Sequence, residues 1–149
     1  MNKKKILPPT FFNCAIVFIL LLHFFFPLSD IIDFPLNMIG IVPAGFGIIL
    51  NMYADRAFKK HKTTVKPFEV SSSLITNGMF RLSRNPMYLG MSLILFGICI
   101  FLGSVSPFLI VAIFVIMVDY KFIRVEELML EKQFGINWIN YKNSARRWI

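Results

Sequence analysis

Apolar residues gather into four stretches along the chain, roughly 11–28, 34–54, 86–102 and 106–123. Each comes near the ~20 residues that carry a helix across a bilayer. None alternates apolar and polar residues as barrel strands do, and hydrocarbon leaves no partner for open backbone, so the stretches predict helices. Between the last two lies Gly103-Ser104-Val105-Ser106-Pro107, whose Gly, Ser and Pro predict a tight turn and an antiparallel helix pair. Past the fourth stretch the period stays helical. Ile123, Glu127, Leu130 and Phe134 fall on one stripe, and Trp138, Tyr141, Ala145 and Trp148 on another, with Lys142 and Arg146 on a neighbouring face. The second stripe predicts an amphipathic helix lying on the membrane surface.

Composition turns this pattern into a fold class. Hydrophobic residues make up 56% of the chain and charged ones 16%, more apolar side chain than a soluble fold of 149 residues could cover. The expectation is an all-α integral membrane protein, one domain over 1–149, with four transmembrane helices, a loop over 55–85 and an amphipathic helical tail over 124–149.

All 16 Lys and Arg residues fall on one side of that topology. Lys3, Lys4 and Lys5 precede the first span; Arg56, Lys59, Lys60, Lys62, Lys66, Arg81 and Arg84 lie between the second and third; the other six, from Lys121 on, follow the core of the fourth. Basic residues mark the cytoplasmic side, so both termini are expected there. Met1 to Leu22 imitates a secretory signal, but no A-x-A-like site follows, which predicts a retained first span. The net charge of +8 is dispersed over loop edges, where anionic headgroups account for it and nucleic acid does not. Cys14 and Cys99 fall inside apolar spans as packing residues. His23, expected deep in span one, and His61 have no second ligand at useful spacing, so no metal is expected.

Candidate chemistry sits where polar residues meet the apolar spans. Arg84-Asn85-Pro86-Met87-Tyr88-Leu89-Gly90 opens the third span. It reads as structure, with Asn85 as N-cap, Pro86 at the first helical position and Tyr88 in an aromatic belt. It reads also as an anion site, because Arg84 and Tyr88 at i, i+4 share a face beside free helix-start N–H groups. Gly90 and Gly97 share a face that lets another helix, or a flat ligand, approach the backbone closely. Glu126-Glu127 follows the fourth span, and Glu127 interrupts an apolar stripe, where a carboxylate needs a partner. That partner would be a ligand, or Arg124 or a loop Lys. Asp119 invites the same argument, and Tyr141 or Arg146 could close over a ligand.

The order of these blocks resembles the isoprenylcysteine carboxyl methyltransferase family in its small bacterial form, which is related to the phospholipid methyltransferases. The resemblance runs from Lys59 to Ile149 through Thr64-Val65-Lys66-Pro67, Leu74-Ile75-Thr76-Asn77-Gly78, Ser83 to Gly90, Glu126-Glu127, Phe134-Gly135, Tyr141 and Arg147-Trp148-Ile149. It implies an inner-membrane enzyme that transfers a methyl group from S-adenosylmethionine to a carboxylate or amine of a lipophilic substrate. By motif match Arg84, Asn85, Pro86, Tyr88, Gly90, Glu126 and Glu127 would bind the cofactor, and Arg84 and Glu127 would be catalytic. Eukaryotic members carry His where this chain has Asn85, so an imidazole role does not transfer. The alternatives are a nicotinamide-dependent reductase of the sterol type, which shares an Arg-x-Pro-x-Tyr-x-Gly block, and a membrane scaffold without activity.

Overall fold

A computed structural model describes residues 7–63 and 71–149. Lys3, Lys4, Lys5 and the stretch Thr64 to Pro67 lie outside them. The described residues form helices and connecting turns: α1 (Pro8–Phe25), α2 (Ile41–Lys60), α3 (Pro86–Leu102), α4 (Pro107–Val118), α5 (Arg124–Phe134) and α6 (Ile136–Ser144). A 3-10 turn, Leu36–Gly40, leads into α2, and a second, Gly78–Arg81, precedes α3. A π-helical turn, Asp119–Ile123, joins α4 to α5 without a break.

Two of these helices are long and apolar enough to cross a membrane, Pro8–Phe25 and the combined Leu36–Lys60. Only 17% of the apolar window of each is buried, so both turn large hydrophobic faces outward.

Proline and helix propensity account for where the predicted spans shift. The first begins at Pro8, suited to the first helical turn, and ends at Phe25 because Pro27 drives Phe26 out of the helical region. The second starts after Pro35 instead of at Phe34, and continues past Ala54 to Lys60. Asp55 through Lys60 are fair helix formers, and Lys59 donates to Asp55 at i, i+4 over 2.6 Å. The loop placed over 55–85 therefore begins at His61. The third span matches α3 at both ends: Pro86 starts it, and Gly103, at φ 82, ends it in the left-handed region.

α3 is central. Its Tyr88, Met91, Leu95 and Cys99 pack with Ala15 and Ile19 of α1 and with Val111, Phe114 and Val118 of α4. Its opposite face is pressed to α2 by glycines: a Cβ on Gly97 would lie 2.5 Å from the Gly40 carbonyl oxygen, and one on Gly90 would lie 2.7 Å from that of Gly47. The predicted small-residue face therefore serves helix packing.

At the far end, Asp30 bridges Ser104, and His23 Nδ1 shares a 2.8 Å hydrogen bond with Ser104 Oγ. His23 thus lies in the last turn of α1, not deep in the span. Cys99 is buried as expected, whereas Cys14 is exposed.

The tail departs furthest from expectation. α5 prolongs α4, Gly135 at φ 51 turns the chain, and α6 ends at Ser144 with Ala145 extended. Trp138, Tyr141 and Ala145 are buried against Ala54, Ile75 and Phe80, so their stripe faces protein. Trp148 lies beyond the helix and packs on the α1/α3/α4 core.

Candidate active site

Where α1, α2 and α3 meet α5 at the basic end, a cavity of about 200 Å³ opens. Its walls are mainly apolar: Pro8 and Pro9 from the start of α1, Phe58 from α2, Phe80 from the 3-10 turn, and Met87 and Met91 from α3. Four polar residues interrupt them, Arg84, Asn85, Tyr88 and Glu126.

Each is held from its own element. Tyr88, one turn into α3, stacks on Phe122 of the π turn and donates from its hydroxyl to Glu126 Oε1 at 2.6 Å. Burial pushes the Glu126 carboxyl up to about 7, the Tyr88 hydrogen bond opposing the rise and repulsion from Glu127 adding to it. Arg84 packs on the Trp138 ring at 5.6 Å and donates from its Nη atoms to the Lys142 carbonyl and to Glu127 Oε1, both at 2.9 Å. Its Nε is buried without a partner.

Glu127 is buried, as its place on the apolar stripe predicts, but among protein cations. Arg147 Nη2 donates to its Oε2 at 2.6 Å and Arg147 Nε to its Oε1 at 3.1 Å, while Arg84 takes the remaining approach. Arg124, the partner considered from sequence, pairs instead with Asp119 at 3.2 Å, and Asp119 also meets Arg147 at 3.3 Å. With both oxygens engaged, Glu127 does not line the cavity. Gly90 does not line it either, because its open side is occupied by α2.

Asn85 holds the N-cap position of α3 without a side-chain capping bond. Its Nδ2 donates instead to the Arg147 carbonyl at 3.0 Å, and the Arg84 N–H donates to the Arg146 carbonyl at 2.9 Å. The C-terminal segment is thereby stitched along the entry to α3. Tyr141 does not reach the cavity; its hydroxyl donates to the Phe80 carbonyl at 2.6 Å. Arg146 is exposed and contributes its backbone.

Sequence reasoning therefore found Arg84, Asn85, Pro86, Tyr88 and Glu126, which all line the cavity. It missed Arg147 as the partner of Glu127 and Phe58 and Phe80 as walls. The available signal was the closing Arg147-Trp148 block, a cation next to an aromatic in an otherwise polar tail. Among the described residues no group of His, Cys, Asp and Glu is arranged to hold a metal ion.

The donor set suits a small zwitterionic cofactor with a polar sugar. Arg84 Nε is an unused buried donor for a carboxylate, Glu126 an acceptor for hydroxyl or cationic groups, and Phe58, Phe80 and Tyr88 supply aromatic surface.

An uncharacterized protein of Haemophilus influenzae is 38% identical over 63 residues, which are 42% of this chain and the whole of that protein. No solved structure matches. A family model described as phospholipid methyltransferase matches residues 36–137, a stretch that includes α2, α3, the cavity's polar residues and the Glu126-Glu127 pair. Matched over more than half its length, the chain belongs to the phospholipid methyltransferase family, whose activity is methyl transfer.

Proposed function

We propose that the protein is an integral membrane methyltransferase that uses S-adenosylmethionine to methylate an amine on a lipophilic substrate at the cytoplasmic face. The observation that carries this reading is the Tyr88–Glu126 pair inside an apolar cavity at the basic end of the helices.

The membrane part is read as four spans within one domain, α1, the Leu36–Lys60 helix, α3, and α4 with its π turn, and the length and hydropathy of the first two support it. The outward hydrophobic faces suit lipid, and the basic residues gathered at the cavity end suit the cytoplasmic side. Both termini then lie in the cytoplasm, and the tail from α5 onward sits at the inner boundary.

S-adenosylmethionine supplies an electrophilic methyl group on a sulfonium. In this chain Arg84, through its unpartnered Nε, holds a carboxylate, and Tyr88, Asn85 and Pro86 shape the wall beside it. The apolar walls exclude water, which favours displacement at a carbon carrying positive charge.

The environment of Glu126 favours an amine over a carboxylate as acceptor. A carboxylate is already a competent nucleophile at neutral pH. An alkylamine, protonated with a pKa near ~10, must first lose a proton. A carboxyl raised to about 7 is well matched to take it. Glu126 would free the lone pair of the amine nitrogen for the methyl group that the cofactor would supply, and would pass the proton on to water.

S-adenosylmethionine titrated onto the detergent-purified protein tests the pocket. Wild type is expected to bind, with binding weakened in Glu126→Gln and in Arg84→Ala. Preferential binding of NADPH would favour the reductase alternative, and a protein stabilised by neither cofactor would favour the scaffold.

A further inference from the structure

On the other side of α2 from the reaction cavity lies a second, more polar groove of about 430 Å³, lined by Tyr53, Arg56, Lys60, His61, Asn77 and Gly78. Arg56 and Lys60 are one turn apart on one helix face. Phe58, which lines the reaction cavity, is ~200° around the helix from each, so the two concavities do not communicate across α2.

The groove has two built walls. One is the end of α2. The other is the Asn77-Gly78 turn, where Gly78 adopts a left-handed φ of 60 and leaves room for the Tyr53 hydroxyl, which a side chain at that position would strike. Ser73 Oγ ties the loop back to the helix end by donating to the His61 carbonyl at 3.2 Å.

Among the described residues its charge is uncompensated. Lys59, on the neighbouring face, is neutralised by Asp55 at 2.6 Å, whereas among the described residues no carboxylate pairs with Arg56 or Lys60. These two cations lie at the polar end of the apolar Leu36–Lys60 segment, with Tyr53 one turn nearer its middle. With the Leu36–Lys60 segment crossing the bilayer, as the proposed function has it, that is the level of phospholipid headgroups, where Tyr collects and Lys and Arg meet phosphate.

We infer that the Arg56/Lys60/His61 groove binds the phosphodiester of an anionic phospholipid, at a site separate from the methyl-transfer cavity. Arg56 offers a planar fork of N–H donors to two phosphate oxygens and Lys60 a mobile ammonium. Asn77, on the second wall, offers an amide for hydroxyls of an uncharged headgroup such as glycerol. A zwitterionic headgroup is the poorer ligand because it brings a cation of its own to a groove that already holds two.

The test is lipid binding, read independently of methyl transfer, so it can fail while the methyltransferase reading stands, and the reverse. Native mass spectrometry of the detergent-purified protein is titrated with phosphatidylglycerol, phosphatidylcholine or inorganic phosphate. The expected result is retention of one phosphatidylglycerol in preference to phosphatidylcholine, with no displacement by millimolar phosphate. Arg56→Gln/Lys60→Gln is expected to weaken retention about 25-fold, about fivefold per cation removed. Lys132→Gln, a charge removed from exposed α5, is expected to change it less than twofold. Asn77→Asp, which adds a carboxylate to the second wall, is expected to weaken it as well. Equal losses in Lys132→Gln, unchanged retention in the groove variants, or displacement by inorganic phosphate would each overturn the assignment.

Discussion

Replacing Glu127 by Gln separates the two neighbouring glutamates, one holding the fold and one facing the cavity. The Glu127 side chain is 8% exposed, that of Arg84 7% and that of Arg147 33%. Removing one partner from a buried ion pair strands the other and costs about 3–5 kcal/mol. The Arg84 arm carries most of this, because Arg147 can still reach Asp119 and water, and a partly exposed pair contributes at most about 1 kcal/mol. Gln retains one acceptor oxygen, which places the expected loss at the lower end, about 3 kcal/mol. Denaturant unfolding in detergent, followed by tryptophan fluorescence, reads it directly because Trp138 lies against Arg84. A companion variant, Arg84→Met/Glu127→Leu, removes both charges and is expected to lose less stability than Glu127→Gln alone. If Glu127→Gln unfolds within about 0.5 kcal/mol of wild type, the range of ordinary surface substitutions, the structural role given to Glu127 is wrong.

Glu126→Gln is expected to behave oppositely, retaining the fold and losing turnover by about 10²- to 10⁴-fold, the usual worth of a general base. Because the base must be deprotonated, wild-type turnover on an amine should rise with pH through about 7, and a pH–rate profile of Glu126→Gln should lack that limb. The same raised carboxyl makes its stability contribution present below its ordinary 4.5 and lost as pH rises through about 7, a slope that Glu126→Gln should flatten in melts taken across that range. Gly97→Ala sets a methyl group 2.5 Å from the Gly40 carbonyl oxygen and should cost about 1–3 kcal/mol by forcing α2 from α3, whereas Gly45→Ala, with open space around it, should cost little in the same melts.

What the sequence revealed and what it hid divide along a physical line. The limits of α3 were legible because Asn85-Pro86 and Gly103 are local signals, acting through φ and a missing N–H. The glycine contact was half legible: Gly90 and Gly97 announced a close approach, and Gly40, which ends the 3-10 turn, and Gly47 in α2 repeat the spacing, but only packing shows that the two pairs meet. The stripe of Trp138, Tyr141 and Ala145 was read correctly as apolar and wrongly as facing lipid, because periodicity reports that a face needs cover and never what covers it.

The glutamates follow the same logic. Its position within an apolar stripe gave away the burial of Glu127, yet its partner Arg147 lies 20 residues downstream, joined only when α6 and the closing segment fold back. Glu126 drew less notice because its facing depends on the phase of α5, and that phase is set upstream. The π turn over Asp119–Ile123 adds a residue to the helical ladder and so rotates everything after it by ~100° relative to a continuous α-helix. Asp119 and Arg124 carry its mark, since they pair at a separation of five, the spacing that a π turn aligns and an α-helix does not. The same rotation brings Glu126 to Tyr88 while Glu127 turns to Arg84 and Arg147. The division of labour between two adjacent carboxylates is thus fixed by one irregular turn, which an unbroken 3.6-residue period does not register.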